Sequence, residues 1–223
     1  MPRLLPLGDA AFTVEFGDTI APDIHGRVLG FAGALAALAE RHPGIVEWVP
    51  TFRSVTVHFD PERVDGGLLG AEVLALAGEG RFATVGGRLW TLPVCFDADF
   101  APDLADVARA CGMAREAVVD VLTATEFTVY MLGFLPGFPY LGGLPAALEL
   151  PRLATPRLRV PAGSVAIAGR MCAVYPWDSP GGWRLVGRTG TRLFDAANAA
   201  RPALLAPGDR VRWQAVGREA VDG

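Results

Sequence analysis

The chain has 223 residues, 51% of them apolar and 20% charged, with a net charge of −4. That balance excludes disorder as the dominant state and supplies enough apolar material for one large core or two small ones. All 20 basic residues are arginine, which excludes chemistry built on lysine: the Walker-type phosphate loop, the kinase-type catalytic lysine and the Schiff base of pyridoxal phosphate.

Near the start, Pro6 and Asp9 interrupt any apolar run, so the segment makes a poor signal peptide. Residues 11–16 alternate, with Phe12, Val14 and Phe16 opposed by Thr13 and Glu15, as in a half-buried strand. Pro22 sits just inside a helix start, and Ile24, Val28, Phe31, Leu35 and Leu38 form one apolar stripe. Val28 to Ala39 is the longest apolar stretch of the chain and falls short of the roughly 18 residues that span a bilayer. His42-Pro43-Gly44 ends the helix. Strands are expected at 45–49 and 53–59, joined by a turn at Pro50-Thr51. Pro61-Glu62 is expected to open a second helix carrying Val64, Leu68, Leu69, Val73 and Leu76 on its apolar face. This β-α-β-β-α order suits helices packed on one face of an antiparallel sheet.

Gly78, Gly80, Gly86 and Gly87 punctuate the next stretch, and a boundary is placed there, giving domains 1–84 and 85–223. A strand is expected at 88–96. Pro102-Asp103 and Asp106 open a helix ending at Gly112, and a second short helix runs from about Ala114 to Thr123. Beyond Phe127 helix signals are scarce. Short strand-like runs at 127–132, 164–168, 171–175, 183–187 and 210–216, set among glycine and proline, argue for a compact β-barrel or sandwich.

The chemistry available is narrow. His25, His42 and His58 are the only imidazoles, so the larger second half has none for base catalysis or metal binding. Cys95, Cys111 and Cys172 are odd in number and widely spaced, without a C-x-x-C. They read as reduced thiols of a cytoplasmic protein, with no zinc site or disulfide framework. Charge is unevenly distributed: residues 150–218 hold 11 arginines against 3 acids, whereas 1–86 and 87–149 are each net acidic. Such a region serves planar recognition of carboxylate or phosphate, or pairs with the acidic remainder; anion or acidic-partner binding is the favoured expectation. Nucleic acid is not an expected partner, since no nucleic-acid motif is present.

Three segments concentrate candidate site residues. The first, Met131 to Gly143, holds Gly133, Pro136, Gly137, Phe138 and Tyr140. Its glycines and prolines argue against a central strand and for a shaped loop, whose rings either form a ligand wall or pack internally as in an Ω-type loop. The second, Pro156 to Ser164, offers Arg157 and Arg159 with the Gly163-Ser164 turn as anion donors. Ser164 is a poor nucleophile candidate, lacking both a G-x-S-x-G elbow and a histidine partner. The third, Tyr175 to Thr189, carries Asp178 and Arg188 as polar anchors and Trp183 at the start of an apolar strand.

The runs GFLPGFPYLGGLP (133–145), TPRLRVPAGSVAIAG (155–169) and YPWDSPGGWRLVGRT (175–189) together resemble the family of 5-oxoprolinase B subunits, also known as allophanate hydrolase subunit 1 and as the kinase-inhibitor (KipI) family. GDAAFTVEFG (8–17), FRSVTVHFDP (52–61) and LLAPGDRVRW (204–213) follow the same pattern in order. The resemblance implies an α+β N-terminal domain followed by a cyclophilin-like β-barrel. It implies ATP-dependent opening of 5-oxoproline to glutamate together with the A and C subunits, ATP being bound by the complex or by this chain. No metal or biotin site is evident in the sequence. Relatives imply two alternatives. One is a regulator that binds a sensor histidine kinase, with Phe138 and Tyr140 as anchors; the other is a carboxyltransferase-like part of a urea carboxylase system, beside an allophanate hydrolase subunit 2-like protein. On the enzymatic reading Arg157 and Arg188 stabilise developing negative charge, with Gly163 and Ser164 as further donors. The chain departs from the family pattern at Leu122, where relatives often carry histidine, at Met171 in place of a glutamine, and at Gly190 in place of a proline.

Overall fold

The computed structural model describes residues 1–80, 82 and 86–221. Backbone contacts divide the chain into two compact units, Met1–Gly86 and Gly87–Gly223. The expected boundary between residues 84 and 85 lies outside the described residues.

In the first unit β1 (Arg3–Pro6), β2 (Ala11–Glu15), β3 (Ile45–Pro50) and β4 (Ser54–Phe59) form an antiparallel sheet in the order β1-β2-β4-β3. Helices α1 (Pro22–Arg41) and α2 (Gly66–Glu79) supply the apolar layer. Phe12, Val14, Val55 and Val57 from the strands meet Val28, Phe31, Leu35 and Leu38 of α1 and Leu69 and Val73 of α2. Glu15 departs from simple alternation: it is buried because Arg3 and Arg53 both pair with its carboxylate. The second helix starts later than the sequence implies. Asp60 accepts the amides of Glu62, Arg63 and Val64 in a local turn, and Asp65 caps α2 by accepting Gly67 N at 2.8 Å and Leu68 N at 2.9 Å. Leu68 accordingly lies in the exposed first turn, not on the apolar face.

The second unit is built on a seven-stranded sheet in the order β12-β9-β10-β7-β6-β13-β5. Its strands are β5 (Leu89–Val94), β6 (Glu126–Leu132), β7 (Pro139–Gly142), β9 (Ser164–Ala168), β10 (Met171–Val174), β12 (Arg184–Arg188) and β13 (Arg210–Ala215). A two-stranded ribbon pairs β8 (Arg157–Val160) with β11 (Ser179–Gly181). The sheet curls until its edges meet: Cys95 N donates to Arg188 O at 2.8 Å and Arg188 N to Cys95 O at 2.9 Å. Joining the ends in this way reduces the unpaired edge that an open sheet would present.

The segment from Gly133 to Gly143 divides. Residues 133–138 are the turn of the β6–β7 hairpin, as a shaped loop should be. Residues 139–142, however, form β7, the middle strand of the sheet, contrary to the expectation that this composition excludes a central strand. The strand is tolerated because Pro139 is its first residue, where a missing N–H matters least.

Both faces of the curled sheet are covered. Val165 and Ile167 of β9, Cys172 and Val174 of β10, and Val186 of β12 join the main core with α3 (Leu104–Ala110) and α4 (Arg115–Ala124). The alternate residues Ala166, Ala168 and Ala173 face a second cluster of Phe138, Tyr175 and Trp183. This two-sided burial explains the continuous apolar run of β9. Leu122 on α4 is fully buried in the main core, so this departure from the family pattern is a packing position.

Asp209 ties the sheet's parallel pair together. Its buried carboxylate accepts Arg88 N at 2.8 Å, Trp90 Nε1 at 2.9 Å and Ala206 N at 3.0 Å. Asp209→Asn removes one of the two acceptor oxygens and leaves buried donors unmatched. It should lower unfolding free energy by about 2 kcal/mol in a denaturant titration.

Candidate functional site

Small residues on one sheet face set the site. Alanines at 166, 168 and 173 leave room above β9 and β10 for large rings. Phe138 lies 5.1 Å from Tyr140, 5.1 Å from Tyr175 and 6.2 Å from Trp183, all edge-to-face. These rings, with Phe134, Leu135 and Pro156, wall a cavity of about 410 Å³. Ser179, Pro180, Gly181 and Gly182 of the β11 segment and Arg152 complete its lining. Gly181 is required by close approach: a Cβ there would stand 2.3 Å from the Tyr175 hydroxyl oxygen. Burial pushes the Tyr175 phenol above its ordinary value, with the Trp183 backbone and Arg152 opposing the shift, so it stays neutral and able to donate. The Ser179 hydroxyl is buried without a protein hydrogen-bond partner.

Of the residues singled out in the sequence, Phe138, Tyr140 and Trp183 line this cavity. Gly133, Pro136 and Gly137 shape the hairpin turn beside it. Gly133 N donates to Phe138 O at 3.1 Å, Pro136 O accepts Trp177 Nε1 at 3.1 Å, and Gly137 adopts φ of +78°. The polar candidates lie elsewhere. Arg157 is committed to the buried Asp103, with Nη2 2.6 Å from Oδ1, while the other oxygen of Asp103 accepts Leu185 N at 2.7 Å. Arg188 donates to Ala162 O at 3.0 Å and lies over the Phe100 ring. The Gly163 amide donates to Tyr175 O at 2.7 Å, so it is not available to an anion, and a Cβ at Gly163 would stand 2.2 Å from Thr189 O. Ser164 is buried opposite Arg188 in the β9–β12 register. Asp178 fastens the same turn, accepting Ala162 N at 2.8 Å and Arg159 Nε at 2.8 Å. Around the expected anion cradle, the Gly163 amide and Arg188 Nε are thus taken by backbone carbonyls and Arg157 Nη2 by Asp103, while Arg157 Nη1 is buried without a hydrogen-bond partner.

The arginine-rich region behaves in the same way. Arg157, Arg159, Arg170, Arg192, Arg201, Arg210, Arg212 and Arg218 each stand within ion-pair distance of a carboxylate of this unit. Arg184 and Arg188 donate to the carbonyls of Pro151 and Ala162. Sequence reasoning missed Arg152, Tyr175 and Ser179. The sign was present in the third segment, where Tyr175 and the Ser179-Pro-Gly-Gly182 run, which contains strand β11, stand beside Trp183. Met171 packs against the aromatic cluster without lining the cavity. Among the described residues no group of three or more His, Cys, Asp or Glu could hold a metal, and no helix is long and apolar enough to cross a membrane.

Residues 2–205 match the family model described as carboxyltransferase domain, subdomain C and D. The chain is 40% identical over 220 residues to the 5-oxoprolinase B subunit of Bacillus subtilis (strain 168), covering 93% of this chain and 90% of that protein. It is 39% identical over 218 residues to the 5-oxoprolinase B subunit of Escherichia coli O157:H7, covering 95% and 94%. Among solved structures it superposes on TTHA0988 with a TM-score of 0.80 at 36% identity, over 99% of this chain and 41% of that one. This chain therefore spans about two fifths of the TTHA0988 chain. The fold and the match define a protein of the carboxyltransferase C and D class. Within that class, the chain belongs to the family of 5-oxoprolinase B subunits.

Two outcomes follow from the local chemistry. Burial pushes the Cys172 thiol up to about 12, so it should resist a thiol reagent in the native protein and react only on unfolding, whereas the half-buried Cys111 should react slowly in the native state. The Ala162 amide and Arg159 hold the Asp178 carboxyl below its ordinary value. Its contribution to stability is therefore present above the usual carboxylate range and is lost as pH falls through the lowered value. The difference in Tm between wild type and Asp178→Asn should shrink toward zero from about pH 6 to about pH 2.

Proposed function

We propose that this chain acts as the B subunit of an ATP-dependent 5-oxoprolinase that converts 5-oxo-L-proline to L-glutamate with the A and C subunits, and that its aromatic cavity receives the lactam. The observation that carries this reading is identity near 40% over nine tenths of the chain with proteins named as 5-oxoprolinase B subunits. The cavity supports it, since a flat, mostly apolar ring with a few polar edges suits an aromatic box with a neutral phenol and a buried hydroxyl. Opening an unstrained lactam requires activation of its carbonyl, and a water-excluding wall strengthens each hydrogen bond made to it.

ATP does not fit this cavity. Its lining carries one guanidinium and is otherwise mainly apolar, while Arg157 pairs with Asp103 and Arg188 donates to Ala162 O outside it. We assign nucleotide handling to the partner subunits and no phosphoryl step to this chain. We read the curled sheet as a cyclophilin-like barrel following an α+β domain, and the free thiols as those of a cytoplasmic protein. The description of the matched family favours a second reading as a carboxyltransferase-like subunit. A histidine-kinase docking role has less support: of its two expected anchors, Phe138 is 2% exposed and unavailable to a partner surface.

Reconstitution tests the reading. The A and C subunits with this chain should form glutamate from 5-oxo-L-proline with concomitant ATP hydrolysis, and omission of the chain should lower the rate at least about tenfold. An unchanged rate without it would reject the assignment.

A further inference from the structure

Arg152 stands apart from the other arginines of the second half. Among the described residues it is the one arginine of the 150–218 region with neither a carboxylate partner nor a backbone carbonyl to donate to. Its backbone is nonetheless held on both sides: Arg184 Nε donates to Pro151 O at 3.1 Å, and Leu153 N donates to Gly182 O at 2.7 Å. Its guanidinium carbon stands 5.7 Å from the centroid of the Trp183 ring, and the residue lines the cavity. Beside the Tyr175 phenol, the cavity also carries Ser179, 8% exposed, whose hydroxyl is buried with no protein partner. An uncompensated cation and an unsatisfied hydroxyl sharing one aromatic box describe a ligand with a flat ring, an anionic substituent and a hydrogen-bonding group on the ring.

We propose that Arg152 is the specificity-determining residue of this cavity: it binds the carboxylate of a small cyclic acid whose ring lies against Trp183 and whose ring amide meets the Ser179 hydroxyl. The inference rests on the reading of the cavity as the lactam site and adds the group that tells a lactam acid from a plain lactam. Arg152 acts on binding and leaves the chemistry of ring opening to other groups. The contact is at the exposed mouth, so salt weakens it.

The test is calorimetric titration of the full chain with 5-oxo-L-proline and with 2-pyrrolidinone, the same ring without the carboxylate. Wild type should favour the acid on the order of 10–100-fold, and the preference should narrow as salt is raised. Arg152→Gln should abolish the preference while leaving 2-pyrrolidinone binding unchanged, Arg152→Lys should retain part of it, and Arg192→Gln should alter neither ligand. Ser179→Ala should weaken both ligands without lowering Tm, because it removes a hydroxyl that the protein itself does not satisfy. A wild-type chain that binds neither ligand, or an acid preference that survives Arg152→Gln, would overturn the proposal. Failure of the reconstituted complex to turn over, with the Arg152-dependent preference intact, would instead overturn the 5-oxoprolinase reading and support the binding assignment.

Discussion

The second unit depends on a sheet that must satisfy two cores at once. One face of β9 and β10 carries Val165, Ile167, Cys172 and Val174 into the helix-covered core; the other carries Ala166, Ala168 and Ala173. Because those alanines are small, four rings stand edge-to-face above them, and the space the rings leave unfilled is the cavity. Bulkier residues at the alanine positions would fill that space and push the rings outward, so the site is a consequence of packing as much as of its own polar groups.

Electrostatics then selects which polar groups remain available. A region with 11 arginines looks like a ready-made anion surface, yet the acids of 97–149 and of the region itself engage most of them. Arg157 with Asp103 is the most buried of these pairs, and losing one partner of such a pair leaves a charge uncompensated. The result is a cavity with a single uncommitted guanidinium rather than a broad positive patch. That matches a small monoanion better than a polyphosphate.

Much of the architecture is legible in the residues. The strict alternation of 11–16 and 53–59 and the four-three spacing from Ile24 to Leu38 express one periodic face each, so β2, β4 and α1 follow directly. The start of α2 is not legible, because Asp60 and Asp65 both qualify as caps and only tertiary placement decides between them. Strand β7 is hidden by its own composition, since rules against proline and glycine in strands do not register that Pro139 is a first residue. At the site, the aromatic members Phe138, Tyr140 and Trp183 emerge from their segments. For Arg157 and Arg188, charge counting does not register the carboxylate and carbonyl partners that folding brings within reach. Arg152 escapes notice for the same reason: what distinguishes it is the absence of a partner, visible only once every other arginine of its region has found one.

The central claim is that the ring-lined cavity, not the turn around Gly163 and Arg188, is where a small ligand binds. Two-dimensional NMR of the chain titrated with 5-oxo-L-proline tests it most directly. The account predicts that the indole N–H of Trp183 and the amides of Ser179, Gly181 and Gly182 shift together and saturate, while the indole of Trp90, bonded to Asp209, stays fixed. Shifts confined to Gly163, Ser164 and Arg188, with Trp183 unmoved, would contradict it.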